Sequence, residues 1–273
     1  MRTIRELHRA SREDMGELVT RQAIPNDGLP QVDPFLLLNH HGPQVFGPRN
    51  DGLPFGPHPH RGFQTVTFIV DGSLVHRDSK GHESAIAAGG VQWMTAGSGI
   101  EHAEVSPAEF LQQGGPLDIL QLWVNLPKRL KMTAPRYFGL QKGDIPSVTA
   151  DGVTVNVISG TFGGQTGPID PLTDVFMATV ELTAGSRVVL PAPSDRSTLL
   201  YVVRGALTGA GEFHLVDLND DGDEVELIAE RDTLVIFGHA APLNEPVVQY
   251  GPFVMNTQQE IVEAIRDYQS GRF

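Results

Sequence analysis

Short segments with strand-forming side chains, separated by tight turns, recur along nearly the whole chain. Residues 65–70 alternate in polarity and run into Asp71-Gly72, a dipeptide that favours a two-residue hairpin, and residues 74–76 form the return segment. Similar apolar segments follow at 119–124 and at several places after residue 150. The 30 glycines and 20 prolines can supply turns between many such elements. This pattern predicts an all-β barrel or sandwich.

Only the end of the chain has a clear helical pattern. Thr257 and Glu260 have the spacing of a capping box, in which each side chain bonds the other residue's backbone amide. Apolar side chains then recur at helical spacing from Ile261 to Tyr268, and Gly271 can close the helix. We therefore expect one C-terminal α-helix that packs on the β structure.

One strand-turn-strand sequence occurs twice. FIVDGSL at residues 68–74 resembles YVVRGAL at residues 201–207. A match this short also arises by chance, but its position divides the chain into two similar halves. We place the boundary within 127–135, where the β pattern is interrupted, and expect domains at 1–134 and 135–273.

The segment GPHPHRGF, residues 56–63, sets His58 and His60 two residues apart. In an extended segment both imidazoles point to the same face, and Pro57 and Pro59 favour extended backbone. Two neutral imidazoles on one face suit a divalent metal. Many pairs of this kind are instead solvated loop residues or structural histidines, so the pair alone is a weak signal.

A second cluster strengthens the metal hypothesis. GSGIEHAE, residues 97–104, gives His102 and Glu104 the same spacing. Three imidazoles and one carboxylate would leave open positions on a five- or six-coordinate ion, as catalysis requires. The alternative for His102 and Glu104 is a strand end with exposed polar groups. At the equivalent distances before the second copy of the repeat stand Pro191 and Pro193, so we expect a site in the first half only.

Composition excludes several classes of function. The 20 basic and 33 acidic residues give a net charge of −13, which disfavours direct nucleic-acid binding. Cysteine is absent, so any metal needs nitrogen and oxygen ligands. The charged N-terminus is unlike a signal peptide, and no apolar run approaches a membrane span. We expect a cytoplasmic protein without a membrane partner.

Five segments resemble the pirin family of the cupin superfamily. They are HPHRGFQTVTFIVDGSLVHRDSKGH, VQWMTAGSGIEHAE, LQLWVNLP, DPFLLLNHHGP and YGPFVMNTQQEIVEAI, and they extend from about residue 30 to 268. The resemblance implies two tandem cupin (jelly-roll) β-barrels: an N-terminal metal-binding domain, 1–134, and a C-terminal domain without metal ligands, 135–273. It implies that His58, His60, His102 and Glu104 hold the metal, with iron as the usual ion. The same ligands accept Ni, Co, Mn, Cu or Zn.

Several polar residues depart from that pattern or have two interpretations. Gln64 stands where pirins typically carry glutamate, and an unbroken strand from His60 would put its side chain near the metal. We expect His40 and His41 in a polar loop. We expect His76 and His82, which flank a turn sequence, to be exposed in a hairpin. Arg61 either steers an anionic substrate or pairs with a carboxylate.

Two functions follow from the resemblance and the ligand set. The first is a metal-dependent dioxygenase, resembling bacterial quercetin 2,3-dioxygenases, that cleaves a flavonol or another enolisable aromatic with O2, with Glu104 as general base and Fe(II) as the expected metal. The second is a redox-sensing metal-binding regulator that engages a protein partner, as described for mammalian pirins. An isomerase or hydrolase is a third alternative, because one fold hosts many chemistries. We expect a monomer.

Overall fold

The computed structural model describes all residues, 1–273, and is mostly β. Strands hold 55% of the residues and helices 9%, which confirms the predicted all-β class. Neither α-helix is long and apolar enough to cross a membrane.

The first half of the chain contains eleven strands and one short helix. They are β1 (Ile4–Arg9), β2 (Ser11–Arg12), β3 (Thr20–Ile24), β4 (Phe35–Phe46), β5 (Phe55–His60), β6 (Phe63–Asp71), β7 (Ser73–Asp78), β8 (Glu83–Ala87), β9 (Val91–Thr95), β10 (Ile100–Val105), α1 (Ala108–Gln113) and β11 (Gly115–Asn125).

The second half contains the remaining fifteen strands, two short 3₁₀ turns at Lys128–Leu130 and Lys142–Asp144, and a longer helix. They are β12 (Arg136–Leu140), β13 (Ser147–Ala150), β14 (Val153–Ser159), β15 (Thr161–Phe162), β16 (Gln165–Thr166), β17 (Val175–Leu182), β18 (Arg187–Pro191), β19 (Ser197–Arg204), β20 (Ala206–Leu207), β21 (Ala210–Gly211), β22 (His214–Leu218), β23 (Glu224–Ile228), β24 (Thr233–Ala240), β25 (Val248–Tyr250), β26 (Phe253–Met255) and α2 (Gln258–Gln269).

Two seven-stranded sheets share one arrangement. The first has the order β12-β9-β6-β11-β4-β3-β2, and the second has the order β1-β22-β19-β24-β17-β14-β13. Strands β6 and β19, which carry the two copies of the sequence repeat, both stand third in their sheets. The repeat therefore marks structurally equivalent strands. A separate four-stranded sheet, β5-β10-β7-β8, contains the two segments with the predicted metal ligands.

The chain forms two compact units, each assembled from three segments. We call the unit around residues 36–143 the N-terminal barrel and the unit around residues 144–242 the C-terminal barrel. Each unit also includes segments from elsewhere in the chain, so the units do not follow chain order. The expected division at 134/135 stays a prediction. The N-terminal barrel consists of Arg12–Arg21, Leu36–Gly143 and Leu243–Phe273; the C-terminal barrel consists of Met1–Ser11, Gln22–Phe35 and Asp144–Pro242.

Helix α2 begins as the capping-box pattern predicts. Thr257 is the N-cap, its side chain accepts from the backbone N–H of Glu260, and the Glu260 carboxylate accepts from the backbone N–H of Thr257 at 2.9 Å. The buried face of the helix packs Ile261 and Ala264 against Phe253 and Met255 of β26. These contacts attach the helix to the N-terminal barrel.

Candidate metal centre

Strand register brings the three predicted histidine ligands together. Strand β5 pairs antiparallel with β10, so that His102 lies opposite His58 and Ile100 lies opposite His60. One ring nitrogen from each of His58, His60 and His102 forms a group whose members all lie within 4.8 Å of one another. No other group of three such ligands occurs in residues 1–273.

A sharp change of backbone direction directly follows the histidine pair. Strand β5 ends at His60 and β6 begins at Phe63, and between them Gly62 has φ +90°. A Cβ atom on Gly62 would collide with the carbonyl oxygen of Val254, so a side chain cannot be accommodated there. The break means that Gln64 is not on an unbroken strand from His60. The condition under which its side chain was expected near the metal is therefore not met.

Gln64 instead belongs to a hydrogen-bonded group of its own. Its Oε1 accepts from Trp93 Nε1 at 3.0 Å and from Thr95 Oγ1 at 3.1 Å. A carboxylate at this position would accept the same two bonds, but its buried charge would need further partners. Gln64 is only 1% exposed, and its amide nitrogen Nε2 has no hydrogen-bond partner, so the amide is satisfied only on its oxygen side.

The histidine nitrogens have the chemistry that a metal requires. His58 Nδ1 donates to the Gly56 carbonyl at 2.7 Å and His60 Nδ1 donates to the Pro252 carbonyl at 3.4 Å, which leaves the opposite ring nitrogen of each as a free acceptor. His60 Nε2 and both ring nitrogens of His102 are buried and have no protein partner. Buried polar atoms are normally satisfied, so these nitrogens fit a divalent cation bound between the rings.

Burial also keeps the imidazoles of His60 and His102 in the neutral, metal-binding form. Desolvation, assisted by repulsion from His58, lowers the pKa of His60 to about 3. The same causes lower the pKa of His102 well below its usual value. Since a metal competes with protons for imidazole nitrogens, low pKa values favour metal binding at neutral pH.

Glu104 lies outside the histidine group, held by three donors. Its carboxylate accepts from Thr67 Oγ1 at 3.1 Å, from Gln121 Nε2 at 2.6 Å and from Gln92 Nε2. Burial raises the pKa of Glu104 to about 7, and the three hydrogen bonds oppose that rise. The pairing of β10 with β5 shifts register between His102 and Glu104, where β5 has one residue more, while β10 pairs with β7 without a shift. The ligand role of Glu104 stays a prediction.

The three donors to Glu104 form a row that the sequence analysis missed. Thr67 of β6 lies opposite Gln92 of β9 on one side and opposite Gln121 of β11 on the other. Each is a polar residue inside an otherwise apolar run, in TVTFIV, VQWMT and LQLWV. A polar side chain in a buried strand needs a partner, so this signal was present in the sequence.

Aromatic rings form a wall beside His60. The ring centroids of His60 and Phe63 lie 5.0 Å apart, and those of His60 and Trp123 lie 5.4 Å apart. Phe63 and Trp123 pack on each other at 4.3 Å, and Trp123 Nε1 donates to Gln121 Oε1 at 3.1 Å. The same glutamine therefore links the aromatic wall to the carboxylate of Glu104.

His76 is not exposed, contrary to the sequence expectation. It lies in β7, is fully buried and stacks on Tyr137 with ring centroids 4.1 Å apart. Its Nε2 is 3.1 Å from Asp78 Oδ2, and His82 Nδ1 is 2.9 Å from the same oxygen. His82 is 44% exposed, so only the second histidine matches the expectation.

His40 and His41 are also buried, in β4 and not in a loop. His40 Nε2 lies 2.5 Å from Asp118 Oδ1, and His41 Nδ1 lies 2.9 Å from Thr20 Oγ1. Burial, assisted by repulsion from His40, lowers the pKa of His41 to about 3. Both histidines therefore serve the packing of the long strand.

The equivalent segment of the C-terminal barrel has no ligand-bearing side chains. Strand β18 ends at Pro191, which lies opposite Glu224, and the preceding Leu190 lies opposite Val225. Leu190 and Val225 belong to the apolar core. Metal binding by the first half only stays a prediction.

Comparison with known proteins extends over nearly the whole chain. Residues 17–124 match the family model described as pirin, and residues 177–273 match the model described as the pirin C-terminal cupin domain. A pirin-like protein of Caulobacter vibrioides is 41% identical over 249 residues, covering 88% of this chain and 87% of that protein. Pirin of Mus musculus is 38% identical over 281 residues, covering 99% and 92%.

A solved structure resembles the chain equally closely. The crystal structure of a quercetin 2,3-dioxygenase from Acinetobacter baumannii superposes with a TM-score of 0.93 at 36% identity, covering 100% of this chain and 98% of that one. The two family models and the relatives agree on one assignment: this chain belongs to the pirin family.

Proposed function

We propose that this protein is a metal-dependent dioxygenase that cleaves quercetin or a related flavonol with O2. The observation that carries the proposal is the group formed by His58, His60 and His102, in which the buried nitrogens His60 Nε2 and His102 Nδ1 and Nε2 have no protein partner. The likeness to the Acinetobacter baumannii quercetin 2,3-dioxygenase supports the reaction class.

His58, His60 and His102 would hold the metal, with Glu104 as the fourth ligand. Nitrogen and oxygen donors suit Fe(II), which we propose as the ion, and they also accept Ni, Co, Mn, Cu or Zn. When bound, a divalent metal with open positions lowers the pKa of a coordinated hydroxyl group.

Glu104 accepts the proton of the substrate hydroxyl in this proposal. A carboxylate beside the metal can take the proton of a hydroxyl group that the metal acidifies. Its donors, Thr67, Gln92 and Gln121, hold the carboxylate in one orientation and stabilise its charged form.

Phe63 and Trp123 have the shape that a flat aromatic substrate requires. Aromatic side chains stack on aromatic ligands in offset or tilted arrangements, and they exclude water from the reacting atoms. Both rings are at least nine-tenths buried, so the wall beside His60 is apolar while the Glu104 side is polar. A flavonol has the same division between ring faces and hydroxyl groups.

The test is aerobic turnover of quercetin by protein whose metal content is measured by elemental analysis. We expect metal-dependent loss of flavonol with matching oxygen uptake, absent in His102→Ala and absent without O2. Unchanged flavonol consumption under anaerobic conditions would contradict the dioxygenase. Bound metal without turnover would favour the redox-sensing regulator, whose affinity for a protein partner differs between the Fe(II) and Fe(III) forms.

A further inference from the structure

Arg61 connects the two chain segments that carry the histidine ligands. It follows His60 directly, is 4% exposed, and donates from Nε to the carbonyl oxygen of Ser98 at 2.7 Å. The next residue, Gly62, donates its backbone N–H to Gly97 O at 2.9 Å. The segment that ends in His60 is therefore tied to the segment that leads to His102.

The end of helix α2 holds the Arg61 side chain from the other direction. Arg61 Nη1 lies 2.9 Å from Asp267 Oδ2, and its guanidinium carbon lies 4.5 Å from the centre of the Phe273 ring. This decides between the two roles considered for Arg61: it pairs with a carboxylate. A guanidinium held by hydrogen bonds to two different groups and covered by an aromatic ring has little freedom to rotate.

The same terminal region contacts the His102 segment directly. Tyr268 Oη donates to Glu101 Oε2 at 3.0 Å. The Phe273 ring covers Gly99, where an added Cβ would lie 2.8 Å from a ring carbon. Gly99 also has φ +136°, so a side chain is disfavoured there by backbone conformation as well.

Strand β26 and the residue before it complete these contacts through the backbone. Val254 N–H donates to Arg61 O at 3.0 Å, and Arg61 N–H donates to Pro252 O at 3.4 Å. The Pro252 carbonyl also accepts from His60 Nδ1, the bond that directs Nε2 of that ligand inward. Residues 252–273 therefore touch both ligand segments.

We propose that Arg61, Asp267 and Phe273 form a brace that sets the spacing of the metal ligands, with Arg61 as a positioning residue. The inference rests on the proposed metal site and adds a role for the C-terminal helix. The separation of His60 and His102 depends on how their segments are joined, and the brace joins them beside the ligands. Loss of the brace lets the segments move apart, so metal binds more weakly and in altered geometry.

The first experiment compares Asp267→Asn with Arg272→Gln by Co(II) titration of metal-free protein. Arg272 pairs with the other oxygen of Asp267 at 2.9 Å but is 64% exposed, so it is a matched control. We expect the Co(II) Kd of Asp267→Asn to rise on the order of 10-fold, as for other residues that orient ligands. Its d–d absorption bands should shift, while Arg272→Gln keeps wild-type affinity and spectrum.

Two further variants keep the proposal testable if Asp267→Asn folds poorly. Arg61→Lys retains one charge for Asp267 but loses the fork that also reaches Ser98, and Phe273→Leu keeps apolar contact but removes the ring face. Both should weaken Co(II) binding and shift the spectrum. Wild-type affinity and spectrum in all folded variants would overturn the brace. A wild-type protein that binds no Co(II) would instead contradict the proposed metal site.

Discussion

The two barrels have the same sheet order but differ in the polarity of their buried side chains. The C-terminal barrel contains one continuous apolar cluster, made of Val153, Val155, Val157, Phe176, Ala178, Val180, Leu182, Leu190, Ala192, Leu200, Val202, Leu207, Ala210, Val216, Leu218, Val225, Leu227, Ala229, Val235 and Phe237. In the N-terminal barrel the apolar residues form several smaller clusters, among them those around Ile69 and Trp123. Between these apolar clusters lie buried imidazoles, amides and a carboxylate.

The difference between the two interiors distinguishes the buried side chains that the fold requires from those that the proposed site requires. An apolar cluster makes up the core of the C-terminal barrel, so the same sheet order forms without a buried row of amides around a carboxylate. Burying polar groups costs stability unless each is hydrogen-bonded or bound to a ligand. The metal and substrate proposed above would account for the row of Thr67, Gln92 and Gln121 and for the unpartnered histidine nitrogens.

The largest effect is expected from a cavity in the apolar barrel. Phe237→Ala removes a fully buried ring from the centre of that cluster and should lower the free energy of unfolding by about 3–5 kcal/mol. Val189→Ala, at a position 38% exposed on β18, is the matched control and should cost far less. Urea titration followed by circular dichroism measures both. Equal costs would mean that the apolar cluster is not the core of this barrel.

Removing one proposed metal ligand should weaken metal binding by the N-terminal barrel without changing its fold. If four ligands contribute equally to a metal-binding free energy of about 10 kcal/mol, each contributes roughly 2.5 kcal/mol. His102→Ala should therefore weaken metal binding on the order of 100-fold. Metal titration with elemental analysis measures the change. The metal-free variant should unfold at the same urea midpoint as metal-free wild-type protein. A much lower midpoint for the variant would indicate a structural role for His102.

A smaller effect is expected from the amide that links Glu104 to the aromatic wall. Gln121→Leu removes the donor to Glu104 and the acceptor of Trp123, and it should lower kcat for flavonol cleavage on the order of 10-fold. Gln113→Leu, an exposed amide on α1, should leave kcat unchanged. A Gln121→Leu variant with wild-type kcat would argue against Glu104 as an oriented base.

The smallest effect is expected from transplanting the histidine pair. Pro191→His with Pro193→His places imidazoles at the equivalent positions of the C-terminal barrel, but β23 supplies no third histidine opposite them. We expect no increase in bound metal per chain, measured by elemental analysis after dialysis. A second equivalent of metal would show that a histidine pair on this backbone is sufficient.

Local patterns account for most of what was predicted correctly. Alternation, the hairpin dipeptide and the capping box each depend on neighbouring residues, so the all-β class and the start of α2 at Gln258 were readable from the chain. The spacing of His58 with His60 is likewise a local property. The expectation for His76 was wrong because it rested on the turn sequence that follows, whereas the alternation of β7 puts His76 on the same buried face as Leu74.

The sequence by itself determined many of the strands and turns, and it pointed to the three histidines that the structure brings together. Only the tertiary structure decided strand register, which sets His102 opposite His58 and aligns Thr67 with the two glutamines that hold Glu104. It also decided the pairing of Arg61 with Asp267, which lie 206 residues apart in sequence. Contacts across such distances depend on how whole strands and helices pack, and no local pattern of side chains encodes that packing.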